Sequence, residues 1–344
     1  MRFRESVMKM QPYTVEKDLP KIRLDKNESP FDVPLRIKER VLADFLDLPL
    51  NRYPEIDSET LRREIANDLC LEAKVKDMAA YDRVFLASGS DALLPEIISL
   101  FDIRDVVTFA PTFSMYGFYA GRRGIKHVEI PLDSEYNIPD GIADDLKGEH
   151  LVFICSPNNP TGNDIPRESI ETILKTGVPV VLDQAYVEFS DNDYLDLLET
   201  YDNLIVLRTF SKAFGISGLR VGYAVASEPI SRMWKRIQSP FSLNSFSARM
   251  AHELITHKDL VNEQIQIIKE ERDRLYEEFQ EIAAVRSSTN FILFNTDAYD
   301  DFKQNGVAVR RFNGRLKGKI RVTIGTKEEN DIVRRILRIK LNGD

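Results

Sequence analysis

Short apolar runs alternate with segments of helical spacing along the first two thirds of the chain. Six runs rich in apolar and β-branched residues predict strands: Arg83–Ala87, Val106–Ala110, Leu151–Cys155, Pro179–Asp183, Leu204–Arg208 and Val221–Ala226. Most are apolar at every position, which is typical of strands covered on both faces in a mainly parallel sheet. Between them, Asp91–Phe101 and Arg167–Thr176 have helical spacing. This alternation predicts an α/β architecture.

The last third has a different pattern, which predicts a smaller α+β domain. Its predicted elements are a long helix, three strands and a closing helix: Lys258–Ala284, Asn290–Asn295, Val307–Arg310, Lys319–Ile324 and Lys327–Lys340. The N-terminal segment around Asp25–Val41 is expected to join it. We therefore predict a large domain over residues 45–275 and a small domain formed by residues 1–44 with 276–344. The active site is expected at the carboxyl ends of the large-domain strands, facing the small domain.

Composition and charge exclude several classes of protein. The 344 residues are 43% hydrophobic and 30% charged, an ordinary globular composition. The net charge of −8 disfavours a nucleic-acid partner. The two cysteines, Cys70 and Cys155, form no CxxC motif, which excludes a disulfide scaffold and suits a reducing cytoplasm. With no secretory h-region in the first residues and no run of about 18 apolar residues, we expect a cytoplasmic protein without a membrane partner.

Common catalytic signatures are missing from the sequence. It contains no GxGxxG, GxxxxGK[ST], GxSxG or HExxH motif. Among the four histidines only His252 and His257 are close, and their spacing does not place them on one helix face. Dehydrogenase, P-loop and hydrolase functions therefore lose their main support, and we expect no metal site.

Polar residues follow the predicted strands instead. Asp183 ends a buried strand, where a carboxylate is costly unless a cation pairs with it. A protonated pyridine nitrogen is one such cation; a helix N-cap or a solvated carboxylate is the alternative. Lys212 follows the next strand, flanked by small hydroxyls and glycines. Such a lysine can form an imine with an aldehyde cofactor, because burial and a neighbouring cation such as Arg220 lower its pKa. A solvated loop lysine is the alternative.

Further loops have the character of a phosphate site. Thr209, Ser211 and Arg220 supply hydroxyl and guanidinium donors suited to a phosphate dianion. The segment 87–91 joins a strand to a helix, so its amides can bind an anion, although a plain turn explains it as well. In the loop 156–162, two prolines restrict the chain, and the Asn159 amide can donate to a phenolate-like oxygen. A turn alone would explain the prolines and glycine of that loop.

The motifs SGSD, PTF, SPNNPTG, LDQAY, TFSKAFGISGLR and IRVTIGT occur in this order. In this set the chain resembles the fold-type I pyridoxal-phosphate-dependent aminotransferases, in particular the histidinol-phosphate aminotransferase branch. Matches run from Leu24 to Thr326. The resemblance implies an aspartate-aminotransferase-like fold, in which a large domain has a mainly parallel seven-stranded sheet between helices and a smaller α+β domain accompanies it.

The resemblance also implies roles toward pyridoxal phosphate. Lys212 would hold the cofactor as an imine and then act as the proton-shuttling base. Asp183 would pair with the pyridine nitrogen, Asn159 and Tyr186 would bond the ring O3′, and Phe113 would stack on the ring. The cofactor phosphate would be held through backbone or side chain by Ser90, Asp91, Thr209, Ser211 and Arg220.

Other matching positions concern the substrate and a second subunit. Tyr53 resembles a tyrosine that reaches the phosphate of the neighbouring subunit's cofactor, which implies a homodimer with shared sites. Arg321 matches the arginine that binds the substrate α-carboxylate, a bidentate task that suits a guanidinium. Asn290, Arg310 and Asn27 match substrate-side residues, Arg310 being the one for the substrate phosphate. A strand-start cap is the alternative for Asn290, and a basic surface is the alternative for Arg310.

Several positions depart from the family pattern. Ala92 replaces a Glu of the family's GxDE motif, Ser29–Asp32 lacks the family's Gly, and Phe113 lacks a tyrosine hydroxyl. None of these departures changes a residue needed for the imine chemistry, but each weakens the assignment to one substrate.

We expect a homodimeric transaminase with a ping-pong cycle. The expected reaction converts histidinol phosphate and 2-oxoglutarate to imidazole-acetol phosphate and glutamate, as in histidine biosynthesis. An aromatic amino acid aminotransferase, a phospho-amino-acid decarboxylase and a non-catalytic pyridoxal-phosphate-binding regulator are the alternatives.

Overall fold

The computed structural model describes residues 1–8, 10, 20–72 and 78–343. Its strands are β1 (Ile22–Leu24), β2 (Val84–Ala87), β3 (Asp105–Ala110), β4 (Lys126–Pro131), β5 (His150–Cys155), β6 (Val180–Asp183), β7 (Leu204–Thr209), β8 (Gly222–Ala226), β9 (Phe291–Phe294), β10 (Val307–Arg311) and β11 (Ile320–Thr323). Its helices are α1 (Glu5–Met8), α2 (Leu35–Leu46), α3 (Glu59–Asp68), α4 (Leu94–Leu100), α5 (Met115–Arg123), α6 (Arg167–Leu174), α7 (Glu228–Trp234), α8 (Ser245–Thr256), α9 (Lys258–Glu278), α10 (Tyr299–Gln304) and α11 (Lys327–Asn342).

The large sheet has seven strands in the order β2–β8–β7–β6–β5–β3–β4. Strand β8 runs antiparallel to both of its neighbours, and the other strand pairs are parallel. Two apolar clusters cover the two faces, one containing Val180 and Leu182, the other containing Val181 and Leu207. The six predicted strands are confirmed to within one residue at each end, as is the predicted fold class.

The small sheet has the order β1–β10–β11–β9. Its three strands from the last third of the chain pair antiparallel, whereas β1 pairs in parallel with β10, in the register Ile22 opposite Val307. The N-terminal segment therefore adds an edge strand to this sheet. The exact division into residues 45–275 and 1–44 with 276–344 stays a prediction, and within it residues 9, 11–19, 73–77 and 344 lie outside the described part.

The sequence pattern missed two edge strands. In β4 every position is exposed or half-buried, and the run is not continuously apolar. Strand β1 is three residues long, too short to give a periodic signal. The structure reveals β4 through its pairing with β3, and β1 through its pairing with β10.

The predicted long helix Lys258–Ala284 is too long at its C-terminal end. Helix α9 ends at Glu278, because the following residues leave the helix to pair with β9. The Ala284 amide donates to the Leu293 carbonyl at 2.8 Å. This long-range bond is not visible in the local pattern.

Two shorter helices also differ from their predicted bounds. The predicted Asp91–Phe101 begins as a 3-10 turn over Ser90–Ala92 and continues as α4. The predicted Arg167–Thr176 ends two residues early, before Gly177, whose φ of +80° is in the left-handed region that ends helices. In the described part of the chain, no helix is long and apolar enough to cross a membrane.

Candidate active site

The carboxyl ends of three adjacent strands bring the expected residues to one edge of the large sheet. Cys155 at the end of β5 pairs in register with Asp183 at the end of β6, and β7 ends at Thr209. Asn159 and Lys212 follow in the loops after β5 and β7. Parallel strands place their carboxyl ends together, so these loops face a common space.

Asp183 is a buried carboxylate with two hydrogen bonds. Its Oδ2 accepts from the Tyr116 hydroxyl at 2.6 Å and its Oδ1 accepts from the Ala185 amide at 3.0 Å. Burial raises the pKa of Asp183, while the two bonds and the charge of Lys212 act in the opposite direction. A buried carboxylate in this position suits a cationic ring nitrogen, and the side chain is not solvated.

Lys212 lies beside Asp183 in the next loop. Its Nζ donates to the Lys26 carbonyl at 3.0 Å and lies 5.7 Å from the centre of the Tyr186 ring. Burial, assisted by the charge of Arg321, lowers the pKa of Lys212 to about 8. At pH 7 about a tenth of an amine with this pKa is neutral and nucleophilic, a few hundred times the neutral fraction of an ordinary lysine.

A donor-rich cradle lies next to Lys212. Arg220 donates from Nη2 to Asp91 Oδ1 at 2.7 Å, and its Nη1 lies 3.5 Å from Ser211 Oγ. The Ser211 amide donates to Thr209 Oγ1 at 3.1 Å. Because a phosphate repels a carboxylate, the Asp91 side chain is suited to orienting Arg220 and not to touching the anion.

Glycines let the backbone close around this cradle. A Cβ on Gly222 of β8 would lie 2.0 Å from the Ser90 amide nitrogen, so the turn that carries Ser90 packs directly on that strand. Gly89 has a φ of +94°, in the left-handed region open to glycine. Amide, hydroxyl and guanidinium donors next to an amine and a carboxylate are the set that pyridoxal phosphate requires, so the residues present fit this cofactor.

A hydrogen-bonded chain connects the large sheet to the small one. The Asn27 side-chain amide donates to the Tyr186 hydroxyl oxygen at 2.9 Å, which leaves the Tyr186 hydrogen available for a ligand oxygen. The Asn27 backbone amide donates to Thr323 Oγ1 at 3.0 Å. Buried Asn290 donates to the Asn27 carbonyl at 3.1 Å, so the structure brings Asn290 next to Asn27.

Arg321 on β11 completes this side of the site. Its Nη1 donates to Asn159 Oδ1 and its Nη2 donates to the Asp25 carbonyl at 2.7 Å. Because Asn159 accepts through its oxygen, its NH₂ group remains free to donate. The guanidinium also lies over the Phe291 ring at 5.1 Å, which holds it flat. Arg310 on β10 is directly opposite Arg321 in the antiparallel register, so the two side chains share one face of the small sheet.

Sequence reasoning missed Tyr116. Its ring is fully buried, stacks on Phe153 at 4.8 Å and meets Phe113 edge to face at 5.5 Å. Tyr116 thereby joins the expected ring-stacking residue to Asp183. The spacing of three residues from Phe113 at the start of a helix was the available signal. The backbone carbonyls of Asp25 and Lys26 were missed as well, and side-chain identity gives no signal for them.

In the single chain, Tyr53 lies outside the group of residues around Lys212 and Asp183. Its side chain is 81% exposed and stacks on Phe241 with ring centres 4.7 Å apart. Within the described residues it touches none of the groups discussed above.

Comparison with known proteins gives a consistent result. The model of the family "Aminotransferase class I and II" matches residues 20–337. A histidinol-phosphate aminotransferase of Thermococcus kodakarensis is 44% identical over 95% of this chain and 95% of its own length. One of Pyrococcus furiosus is 40% identical over 95% of this chain and 94% of its own length.

A solved structure has the same fold. The histidinol-phosphate aminotransferase of Sinorhizobium meliloti in complex with pyridoxal-5′-phosphate superposes with a TM-score of 0.84 and 22% identity, covering 98% of both chains. This likeness extends over both sheets and supports the architecture described above.

Proposed function

This chain belongs to aminotransferase class I and II, a pyridoxal-phosphate-dependent family, and from that premise we propose that it transfers an amino group between histidinol phosphate and 2-oxoglutarate. The products are imidazole-acetol phosphate and glutamate. Relatives that are 40% and 44% identical over nearly the whole chain carry the name histidinol-phosphate aminotransferase, which supports this substrate pair.

The observation that carries the proposal is the pairing of Arg310 with Arg321. The two residues are opposite each other on adjacent strands, so their Cβ atoms lie about 5 Å apart. Arg321 is buried and held in place, whereas Arg310 is exposed and has no ion-pair partner among the described residues. Two neighbouring guanidinium groups can bind the two carboxylates of glutamate or the several oxygens of one phosphate. A ping-pong enzyme must accept both kinds of anion in the same site.

The remaining roles follow from the contacts of each side chain. When bound, pyridoxal phosphate supplies an electron sink that stabilises negative charge on the substrate α-carbon. Asp183 would hold the ring nitrogen, and Tyr186 and Asn159 would donate to the ring oxygen. Lys212 would attach the cofactor through Nζ and, as a free amine, would move a proton at that nitrogen.

The cofactor phosphate and ring face are held by a separate group of residues. The Ser90 amide, Thr209, Ser211 and Arg220 would hold the phosphate, since Asp91 orients Arg220 and the Ser211 amide lies on Thr209. Phe113, which contacts Tyr116 edge to face, would pack on the ring. Asn27 and Asn290 line the substrate side.

A cytoplasmic homodimer is part of the proposal. Tyr53 is exposed and stacked on Phe241, and apolar side chains near it in sequence, Leu46, Leu50 and Ile56, are at least 64% exposed. Exposed apolar side chains concentrated in one segment are typical of an association surface. A second subunit that covers this segment would bring Tyr53 toward a neighbouring cofactor phosphate.

A stopped-flow experiment tests the substrate. The purified holoenzyme is mixed with histidinol phosphate, and we expect the visible absorbance of the bound cofactor to fall without a keto acceptor and to return on addition of 2-oxoglutarate. Phenylalanine and tyrosine are compared at equal concentration. Faster loss of absorbance with phenylalanine would make the chain an aromatic aminotransferase, and carbon dioxide release from a phosphorylated amino acid without a keto acceptor would make it a decarboxylase. Borohydride reduction is expected to leave the pyridoxyl group on Lys212.

A further inference from the structure

A third arginine lies on the same face of the small sheet as Arg310 and Arg321. Arg23 on β1 is opposite Ala308 on β10 in the parallel register. Ala308 lies two residues before Arg310 on β10. Side chains two residues apart on a strand share a face, so Arg23 and Arg310 point to the same side. A strand spacing of about 4.8 Å and a rise of about 3.3 Å per residue place their Cα atoms about 8 Å apart. Two long guanidinium side chains can bridge that distance and meet on one anion.

Arg23 has a carboxylate partner, Glu28. Its Nη2 donates to Glu28 Oε2 at 3.0 Å and to Oε1 at 3.3 Å. The two side chains are 38% and 35% exposed. Glu28 also acts on Lys212, whose pKa its charge raises against the effect of burial, so the Glu28 carboxylate is near enough for its charge to act on the reacting amine.

We propose that Arg23 is a specificity residue for phosphate-bearing substrates, which exchanges Glu28 for the substrate phosphate and binds it together with Arg310. This inference rests on the proposed function and adds a residue to it. A phosphate dianion carries two charges and several acceptor oxygens on one atom, whereas each carboxylate of glutamate carries one charge. Arg321 and Arg310 suffice for the two carboxylates. A phosphate bound by Arg310 still has acceptor oxygens that are free to bind the Arg23 guanidinium.

The position of the Arg23–Glu28 pair makes such an exchange feasible. Ion pairs that are open to water contribute little stability, because the solvent screens the charges. A dianion next to Arg23 therefore competes well with one partly exposed carboxylate. Glu28 keeps Arg23 neutralised while glutamate is bound, and so limits the excess positive charge near Lys212.

Two substitutions with opposite expected effects test the proposal. Arg23→Gln is expected to raise the KM for histidinol phosphate about tenfold, as for the loss of one charge-assisted hydrogen bond, and to change the KM for glutamate less than twofold. Glu28→Gln leaves Arg23 without its competitor and is expected to lower the KM for histidinol phosphate. Arg167→Gln is the matched control, since Arg167 is 39% exposed and paired with Asp196, and neither residue belongs to the small sheet. If the pair is only structural, Arg23→Gln and Glu28→Gln change the KM in the same direction, and the proposal is wrong.

A binding measurement separates this inference from the proposed function. Inorganic phosphate is titrated into the holoenzyme by calorimetry, so that the cofactor already fills the cradle around Arg220. We expect Arg23→Gln to weaken phosphate binding and Glu28→Gln to strengthen it, while Arg167→Gln leaves it unchanged. If histidinol phosphate is not turned over but this order of affinities is found, the substrate assignment fails and the role of Arg23 stands. Equal phosphate affinity in wild type and Arg23→Gln would overturn the role of Arg23 whatever the substrate is.

Discussion

At the residue scale, the surroundings of Lys212 lower the pKa of its amine into the working range of the enzyme. Burial and the charge of Arg321 lower its pKa to about 8, and Arg220 adds to that effect. A protonated amine cannot attack an aldehyde, so the neutral fraction grows as the pH rises through this pKa. Attachment of pyridoxal phosphate to the apoenzyme should therefore accelerate with pH, with a midpoint near pH 8.

This prediction is measured by stopped-flow absorbance of apoenzyme mixed with cofactor between pH 6.5 and 9.5. Arg321→Gln removes the cation that, after burial itself, lowers the pKa of Lys212 most, and should shift the midpoint to higher pH. Arg338→Gln, an exposed arginine paired with Glu278, should leave the midpoint in place. A wild-type midpoint near pH 10, the range of an ordinary lysine, would contradict the interpretation.

A residue's part in the site could be predicted from sequence where its side chain carries an ionisable group that is costly to bury. The costs of burying a carboxylate and an amine pointed to Asp183 and Lys212 before any geometry was known. For Tyr116 the spacing from Phe113 was only a weak signal, because a buried tyrosine at helical spacing is most often a core residue. Its role comes from a contact with Asp183, 67 residues away along the chain.

At the element scale, the contact between β8 and the turn before α4 sets the shape of the phosphate cradle. A Cβ at Gly222 would lie 2.0 Å from the Ser90 nitrogen and 2.5 Å from the Gly89 carbonyl carbon, both backbone atoms that cannot rotate away. Gly222→Ala should displace this turn, weaken cofactor affinity at least tenfold and lower thermal stability, by about 1–3 kcal/mol as for other overpacked sites.

Calorimetric titration of the apoenzyme with pyridoxal phosphate, together with thermal unfolding, measures both effects. Gly121→Ala on α5 serves as the control, because a Cβ there meets no atom within 4 Å and alanine favours a helix. Unchanged cofactor affinity in Gly222→Ala would show that the turn does not hold the phosphate.

The elements themselves were predictable in proportion to their burial. Strands β5, β6 and β7 are buried at nearly all positions, and their continuous apolar runs gave their bounds to within a residue. Strand β4 was missed because one side of it faces solvent. The end of α9 was misplaced because a hydrogen bond to β9, from a distant part of the chain, decides where the helix stops.

At the scale of the whole molecule, the proposed dimer makes each site from two chains. Tyr53 belongs to one subunit, while Lys212 and Asp183 belong to the other. Mixing Tyr53→Ala and Lys212→Ala subunits should therefore restore activity, because one of the two sites in each hybrid dimer combines native Lys212 with native Tyr53. Random pairing gives about a quarter of wild-type activity, since half of the dimers are hybrids with one intact site each.

The control combines substitutions of two residues that one and the same subunit contributes to a site. A mixture of Lys212→Ala and Asp183→Asn subunits leaves every site with one defect, so no activity should return. The measurement is the transaminase rate after denaturation and joint refolding, compared with each variant refolded alone. Activity that does not exceed the sum of the separate variants would rule out a shared site at Tyr53.

The three residues 25–27 contact both sheets largely through main-chain atoms. The carbonyls of residues 25, 26 and 27 accept from Arg321, Lys212 and Asn290, and the amide of Asn27 donates to Thr323. Contacts of this kind depend on how many peptide units separate them and little on which side chains the units carry. In a redesign of this enzyme, the side chains of residues 25 and 26 should thus tolerate substitution. Inserting or deleting a single residue there would instead move the carbonyl that binds Lys212 relative to the carbonyl that binds Arg321.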